Sequence, residues 1–186
     1  MKYRKKNHDT RCVESVARVG LAASVAPGTK EEDPVCEITD IDANLILTQC
    51  RNQGATSDNE IKNFTAAYRL AKESTFIGHT ADSNERFIRT MAFMIDPRND
   101  DYRRIPVTFK NGSQGLNPGV ISRAMRNLST ILDDLAFAST YIYHELELIH
   151  PFLDGNGRLG HLVWAIAVKD RTGTWPEQLP PKLFQS

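Results

Sequence analysis

The chain has 186 residues and 40% hydrophobic content, enough for one domain with a core and too little for two large domains. Basic and acidic residues number 23 each, so the formal net charge is zero and no overall field would attract nucleic acid or an anionic membrane. Three widely spaced cysteines, Cys12, Cys36 and Cys50, predict neither a disulfide framework nor a metal-ligand pair. They indicate a reducing, cytoplasmic compartment. No apolar run approaches the ~20 residues of a membrane span.

Residues 1–35 are mixed and polar, and we expect a flexible N-terminal segment there. Its basic start at residues 2–6 is more typical of a solvated chain end than of a nucleic-acid-binding arm. The apolar stretch 19–26 resembles a weak signal peptide, but it is short and charged residues lie close before it. Secretion is therefore not the prediction.

Helical periodicity dominates from Glu37 onward and predicts an all-α domain over residues 36–186. The first expected elements are a short helix at 37–48, a loop at 52–55, a helix capped by Ser57 or Asp58, and a helix over 85–96. Three more helices follow: from Pro118 through Ile131, from Asp133 to Ile149, and from about Arg158 to Lys169. Little room for further structure remains after Trp175.

Residues 102–112 interrupt the helical pattern. The run from Ile105 to Phe109 favours extended structure, and Asn111-Gly112 is a strong turn signal. We therefore expect one short β-hairpin in an otherwise helical protein.

The most informative stretch is residues 150–158, His-Pro-Phe-Leu-Asp-Gly-Asn-Gly-Arg, which lies between two predicted helices. Gly155, Asn156 and Gly157 are the residue types most willing to adopt positive φ, and such a run can turn its backbone N–H groups toward an anion. The helix that follows adds unpaired N–H groups and the positive end of its dipole. Together these features predict a phosphate site.

The side chains around this loop fit a phosphate ligand. Arg158 is badly placed for the helix dipole, so an anionic ligand explains it better than helix stability does. Asp154 offers a hard oxygen for Mg²⁺, and His150 could take a proton from an attacking hydroxyl. Phe152 is expected to anchor the loop in the core. A plain helix–loop–helix turn would explain any one of these residues, but not all of them together.

The string resembles the motif of the Fic family, His-x-Phe-x-Asp/Glu-Gly-Asn-Gly-Arg-x-x-Arg. The resemblance implies an all-helical Fic fold with a short β-hairpin flap, and transfer of AMP from Mg·ATP to a Ser, Thr or Tyr hydroxyl of a target protein. His150 would be the general base and Asp154 would hold Mg²⁺. Residues 155–157 would cradle the α- and β-phosphates, and Arg158 would neutralise their charge. Gly155 and Arg158 are typical of the AMP-transferring branch, whereas Doc-type kinase toxins carry Ala and Lys there.

The resemblance extends over residues 37–175. Residues 102–112 look like the Fic flap, which binds the target peptide by strand addition. Thr108, Phe109, Lys110 and Asn111 would lie over the nucleotide and the target. Family domains continue beyond the motif helix with a helix under the adenine, so we expect either an incomplete adenine pocket or a fragmentary sequence. The resemblance leaves homo-oligomers open.

Two departures from the family pattern concern regulation and ATP binding. His161 stands where the family's second arginine grips the γ-phosphate, and His is a shorter and often neutral substitute. Upstream, residues 39–44 fit the family's inhibitory helix, with Ala43 where its glutamate should be. We therefore expect no glutamate-mediated autoinhibition and poor reversal of the modification.

Other functions compete with AMP transfer. His161 and the short C-terminus favour a catalytically weak Fic relative that acts as a binding module. A Fic enzyme that transfers UMP, phosphocholine or phosphate is a third alternative, which nothing in the sequence selects. Zinc is disfavoured, because no two histidines have metal-ligand spacing on one helix.

Overall fold

A computed structural model describes residues 37–109 and 112–182. Within these ranges the chain forms six α-helices and one 3-10 turn, which confirms the all-α prediction. The helices are α1 (Asp40–Asn52), α2 (Asp58–Glu73), α3 (Ala81–Ile95), α4 (Ile121–Thr130), α5 (Ser139–Ile149) and α6 (Asn156–Thr172), and the 3-10 turn spans Pro118–Val120. The predicted flexible segment 1–35 and the flap residues Lys110 and Asn111 lie outside the described residues.

The first three helices begin at hydroxyl caps. The side chains of Thr39, Ser57 and Thr80 each accept a hydrogen bond from a backbone N–H in the first turn. At α1 and α2 an acidic residue, Asp42 or Glu60, completes a reciprocal capping box. These local bonds explain why Ser57 and not Asp58 caps α2.

Helix α6 lies at the centre of the domain. Every residue from Asn156 to Ala167 is buried, as expected for a helix surrounded by packing partners on all sides. It packs most extensively against α5 and also against α2 and α3. The N-terminus of α6, which carries the Gly-Asn-Gly run, is therefore held inside the helical bundle.

Helices α1, α3 and α5 begin at different residues from those predicted, and α1 spans Asp40–Asn52, not 37–48. Helix α3 begins four residues earlier than expected because Thr80 provides its cap. Helix α5 begins at Ser139, not Asp133, because residues near Asp134 form turns. The Asp134 carboxylate accepts from the N–H of Ala136 at 2.9 Å, and Arg171 donates to the Asp134 carbonyl at 3.0 Å.

The predicted β-hairpin is not present as two strands. Within the described part of the flap, a single antiparallel bridge joins Thr108 and Gln114. The N–H of Phe109 donates to the Ser113 carbonyl at 2.8 Å, and that of Gly115 donates to the Val107 carbonyl at 3.0 Å. The chain thus folds back on itself, with too few paired residues to form strands. None of the described helices combines the length and apolarity needed to cross a bilayer.

Candidate functional site

The loop between α5 and α6 is held by the side chain of Asn156. Its Oδ1 accepts from the N–H of Phe152 at 3.0 Å, and its Nδ2 donates to the carbonyl of the same residue at 2.9 Å. Phe152 is fully buried, as predicted, and its ring packs 5.5 Å from that of Tyr102. Because the Asn156 amide is occupied in this clamp, only its backbone N–H could contribute to a phosphate cradle.

Both glycines of the loop are required by close packing. Gly155 has φ +72°, and a Cβ there would lie 2.7 Å from Cγ2 of Ile95. A Cβ on Gly157 would collide with the side-chain amide of Gln53, the residue that follows α1. Gly155 is the N-cap of α6 and supplies no side-chain cap. The first N–H groups of this helix therefore lack a capping side chain, as an anion-binding terminus requires.

Arg158 is a buried cation with unused hydrogen-bond donors. Its side chain is only 2% exposed, and Nε and Nη1 have no partner among the described residues. Its nearest carboxylate is that of Asp154, whose Oδ1 lies 3.7 Å from Nη2. Native proteins rarely leave buried charged donors unpaired, because desolvation then costs several kcal/mol. The arrangement fits an anion at the start of α6.

Asp154 lies at the edge of this site with half of its side chain exposed. Its Oδ2 pairs with Nη2 of Arg98 at 3.1 Å, and its Oδ1 accepts from the N–H of Gly155 at 2.5 Å. Asn99 donates to the Asp154 carbonyl at 2.9 Å. The described residues hold no group of three or more metal-ligating side chains. A Mg²⁺ ion here would therefore depend on phosphates and water for most of its ligands.

His150 ends α5 in the left-handed conformation, with φ 47° and ψ 63°. Its Nδ1 is buried without a partner, which leaves Nε2 as the nitrogen that could meet a hydroxyl. Burial lowers the pKa of His150, and the nearby Arg103 guanidinium lowers it further. The imidazole is therefore neutral near pH 7, the state that a general base needs.

The flap lies beside His150. The Phe109 ring meets the His150 ring edge-to-face, with centroids 5.0 Å apart. Thr108 is exposed and carries the bridge to Gln114. Of the four flap residues predicted to cover the nucleotide, the described pair Thr108 and Phe109 thus belongs to a segment that contacts the proposed base.

His161 is placed inside the core, with no exposed surface. The ring centroids of Phe64, Tyr68 and Trp164 lie 6.0–6.3 Å from that of His161. Neither nitrogen of His161 has a hydrogen-bond partner among the described residues. Burial lowers its pKa to about 4. A γ-phosphate contact would need an accessible nitrogen, which His161 lacks in this conformation.

The buried imidazole predicts a specific acid sensitivity. The pKa of His161 is lower in the folded protein than in the unfolded chain, so protonation favours unfolding. Stability from this group is present above pH 6.5 and is lost as the pH falls toward 4. The free energy of unfolding of the wild type should therefore fall as the pH drops from 6.5 toward 4. We expect His161→Phe to reduce this fall by up to about 3 kcal/mol. Urea denaturation at several pH values checks it, and parallel stability curves for variant and wild type would contradict it.

Helix α1 and the residue that follows it meet the motif through two glutamines that were not predicted from the sequence. Nε2 of Gln49 donates to the carbonyl of Gly157 at 2.8 Å, and Gln53 packs on the same glycine. The acidic residue beside Ala43 is Asp42, which is bound to Lys72 at 2.7 Å and to Tyr68 at 2.8 Å. In the described part of the chain, this region therefore offers the motif amides and no carboxylate.

A concave region outside the motif lies between α3 and α4, with a volume of about 570 Å³. Three arginines line it, Arg86, Arg89 and Arg126, but so do three carboxylates. Arg126 lies 3.8 Å from Asp82 and 4.0 Å from Glu85. Because the charges balance, this cavity fits an anionic ligand less well than the start of α6 does.

Residues 82–167, which include the flap and the loop from His150 to Arg158, match the sequence model of the Fic/DOC family. The Fic/DOC family model thus matches the part of the chain that holds this site. A Fic family protein from Desulfovibrio desulfuricans G20 has a similar fold, with a TM-score of 0.54 over 70% of this chain and 19% sequence identity. The match spans 43% of that protein, so the present chain covers less than half of its length. Comparison with the curated proteins gave no match.

Proposed function

We propose that this protein is a Fic-type adenylyltransferase that moves AMP from Mg·ATP to a Ser, Thr or Tyr hydroxyl of a target protein. The observation that carries the proposal is Arg158, a buried guanidinium with two unpartnered nitrogens at the uncapped start of α6. A nucleotide polyphosphate would satisfy these donors and the helix N–H groups together. The match to the Fic/DOC family model supports transferase chemistry of this type.

The proposed reaction is an in-line displacement. The hydroxyl oxygen of the target forms a bond with the α-phosphorus, and the bond from that phosphorus to the β-phosphate bridging oxygen breaks. Pyrophosphate leaves, and His150 takes the hydroxyl proton. The neutral imidazole supports this role, since the pKa of His150 is lowered by burial. Most of the acceleration would come from positioning and from charge stabilisation at Arg158 and the α6 N-terminus.

Asp154 is the proposed protein ligand for Mg²⁺. It is half exposed, and Arg98 and Arg158 lie at 3.1 and 3.7 Å from its oxygens. The ion would supply positive charge that neutralises the phosphates when bound. Arg98 also pairs with Asp96, so it has a second partner when Asp154 turns toward a metal.

The target would bind across the flap. The flap's single bridge at Thr108 and Gln114 leaves extended backbone beside His150 with few internal pairs, which is suited to strand addition by a peptide. Phe109 would contact the nucleotide or the target. Lys110 and Asn111 remain proposed contacts from the same segment.

We also propose that glutamate-mediated autoinhibition is absent. Ala43 cannot provide the carboxylate, and Asp42 is neutralised by Lys72. The two side chains that reach Gly157 from this region are the neutral amides of Gln49 in α1 and of Gln53 just after it. A neutral amide neither repels phosphate nor competes for Arg158 as a carboxylate would.

A catalytically weak binding module is the second candidate. Burial of His161 removes the predicted γ-phosphate contact, and the Gln53 amide packs directly over Gly157. In that case ATP would bind weakly, and the flap would serve to recognise partners. No observation in the described part of the chain favours transfer of UMP or phosphocholine.

Incubation with ATP labelled at the α- or γ-phosphate separates these functions. We expect the α-label to appear on protein and the γ-label to leave as pyrophosphate. If only the γ-label appears on protein, the activity is that of a kinase and not AMP transfer. No labelling from either position, tested with a cell lysate as the source of targets, would favour the binding module.

A further inference from the structure

Arg103 is a buried arginine whose hydrogen bonds join two parts of the domain. It is 2% exposed, and its side chain reaches the end of α5. Nε donates to the carbonyl of His150 at 2.6 Å, and Nη2 donates to that of Ile149 at 3.3 Å. Its backbone N–H donates to the Pro151 carbonyl at 2.9 Å. Arg103 thus caps the C-terminus of α5, where a cation is favourable.

The same guanidinium also holds both arms of the flap. Nη1 donates to the carbonyl of Ile105 at 2.7 Å, in the arm that precedes the Thr108–Gln114 bridge. Nη2 donates to the carbonyl of Leu116 at 2.6 Å, in the arm that follows this bridge. Packing is tight here: a Cβ on Gly115 would lie 2.6 Å from Val107 and 3.2 Å from Nη2 of Arg103. The guanidinium therefore fixes the distance between the two arms.

His150 needs such support. In the described residues it is the only residue other than glycine with positive φ, a conformation that costs a residue with a Cβ roughly 1–2 kcal/mol. Its N–H bonds to the Leu146 carbonyl at 2.9 Å, and Arg103 binds its own carbonyl. The two bonds fix the peptide groups on both sides of the His150 side chain.

We infer that Arg103 is a positioning residue, which sets His150 and the two arms of the flap in a fixed relation so that base and bound target meet. The inference rests on the proposed transfer for its functional consequence, but the structural linkage can be measured without any transfer. Four carbonyls from two segments meet one rigid planar donor, and lysine cannot reproduce this set of bonds.

Arg103 has two effects, which substitutions can separate: its charge lowers the pKa of His150, and its hydrogen bonds hold the backbone. The charged groups that act on the His150 ring are Arg103, which lowers its pKa, and Asp154, which raises it. Arg103→Gln removes both the charge and the fork of donors. Arg103→Lys keeps the charge and loses the fork. Exposed Arg104, which pairs with Asp101 at 3.2 Å, provides the matched control Arg104→Gln.

The test combines amide hydrogen exchange at Phe109 and Gly115 with NMR titration of the His150 ring. We expect both Arg103 variants to exchange at these amides about tenfold faster or more, because hydrogen bonds to a charged donor are lost. The pKa of His150 should rise in Arg103→Gln and stay near the wild-type value in Arg103→Lys. Arg104→Gln should change neither reading. For AMP transfer, we expect kcat to fall in both variants with little change in KM for ATP.

Unchanged exchange at Phe109 and Gly115 in a folded Arg103→Lys protein would overturn the inference, and so would an unchanged His150 titration in Arg103→Gln. If Arg103→Gln fails to fold, the exchange reading on Arg103→Lys decides alone. A wild-type protein that transfers no AMP refutes the proposed function, whereas the exchange and titration results still decide the role of Arg103.

Discussion

Replacing His150 with alanine is expected to lower the rate of AMP transfer about 100- to 10,000-fold, the usual contribution of a general base. The Kd for ATP should stay unchanged, since the proposed phosphate contacts are at Arg158 and the α6 N-terminus. In the wild type, the rate should fall as the pH drops through the pKa of His150, which lies below its ordinary value. Label transfer measured between pH 5 and 8, with ATP binding measured in parallel, checks all three points.

The backbone of His150 requires a second variant. Alanine tolerates the left-handed conformation at this position poorly, so a loss of activity could reflect a displaced loop. Asparagine accepts that conformation more readily and cannot act as a base near neutral pH. His150→Asn should therefore be as inactive as His150→Ala. A His150→Asn protein with transfer near the wild-type rate would rule out the imidazole as the base.

Arg158→Met is expected to change binding and stability in opposite directions. Methionine fills a similar volume without the unpaired donors at Nε and Nη1, so the ligand-free protein should become more stable by about 1–4 kcal/mol. ATP affinity should fall about 100-fold, because charge-assisted bonds to phosphate are lost. Thermal unfolding and calorimetric titration with Mg·ATP measure the two effects.

Arg103→Met is the matched control, because both arginines are 2% exposed. Arg103 donates to four carbonyls, which the variant would leave without this donor. It should therefore destabilise the protein by about 3 kcal/mol. Destabilisation by Arg158→Met of the same size as by Arg103→Met would mean that Arg158 supports the fold, and it would contradict an anion site at the start of α6.

The helices were predictable where local signals suffice. Ser57 with Glu60 marks the start of α2, and Gly173, with φ +77°, ends α6 as its sequence suggests. The start of α5 was wrong because helical spacing continues through residues whose backbone is bound elsewhere. The carbonyls of Asp134 and Phe137 accept from Arg171, which lies far along the chain. Periodicity cannot reveal such a competing bond.

The residues of the motif were predictable as a set, but their contacts were not. Asn156 works through its side chain as a loop clamp, which looks the same in sequence as a residue that turns its backbone toward an anion. Gln49, Gln53 and Arg103 lie more than 40 residues from the parts of the motif they bind. No spacing within one element identifies them. His161 was expected beside phosphate because its sequence position follows Arg158, whereas the helical turn directs it into an aromatic core.

The central claim is that nucleotide phosphates bind at the start of α6. It can be tested most directly by NMR titration of the protein with Mg²⁺ and a non-hydrolysable ATP analogue, observing backbone amides and arginine side chains. We expect the amides of residues 155–158 and Nε of Arg158 to shift together and to saturate with one affinity. Shifts confined to the cavity between α3 and α4, with Arg158 unmoved at saturation, would contradict the claim.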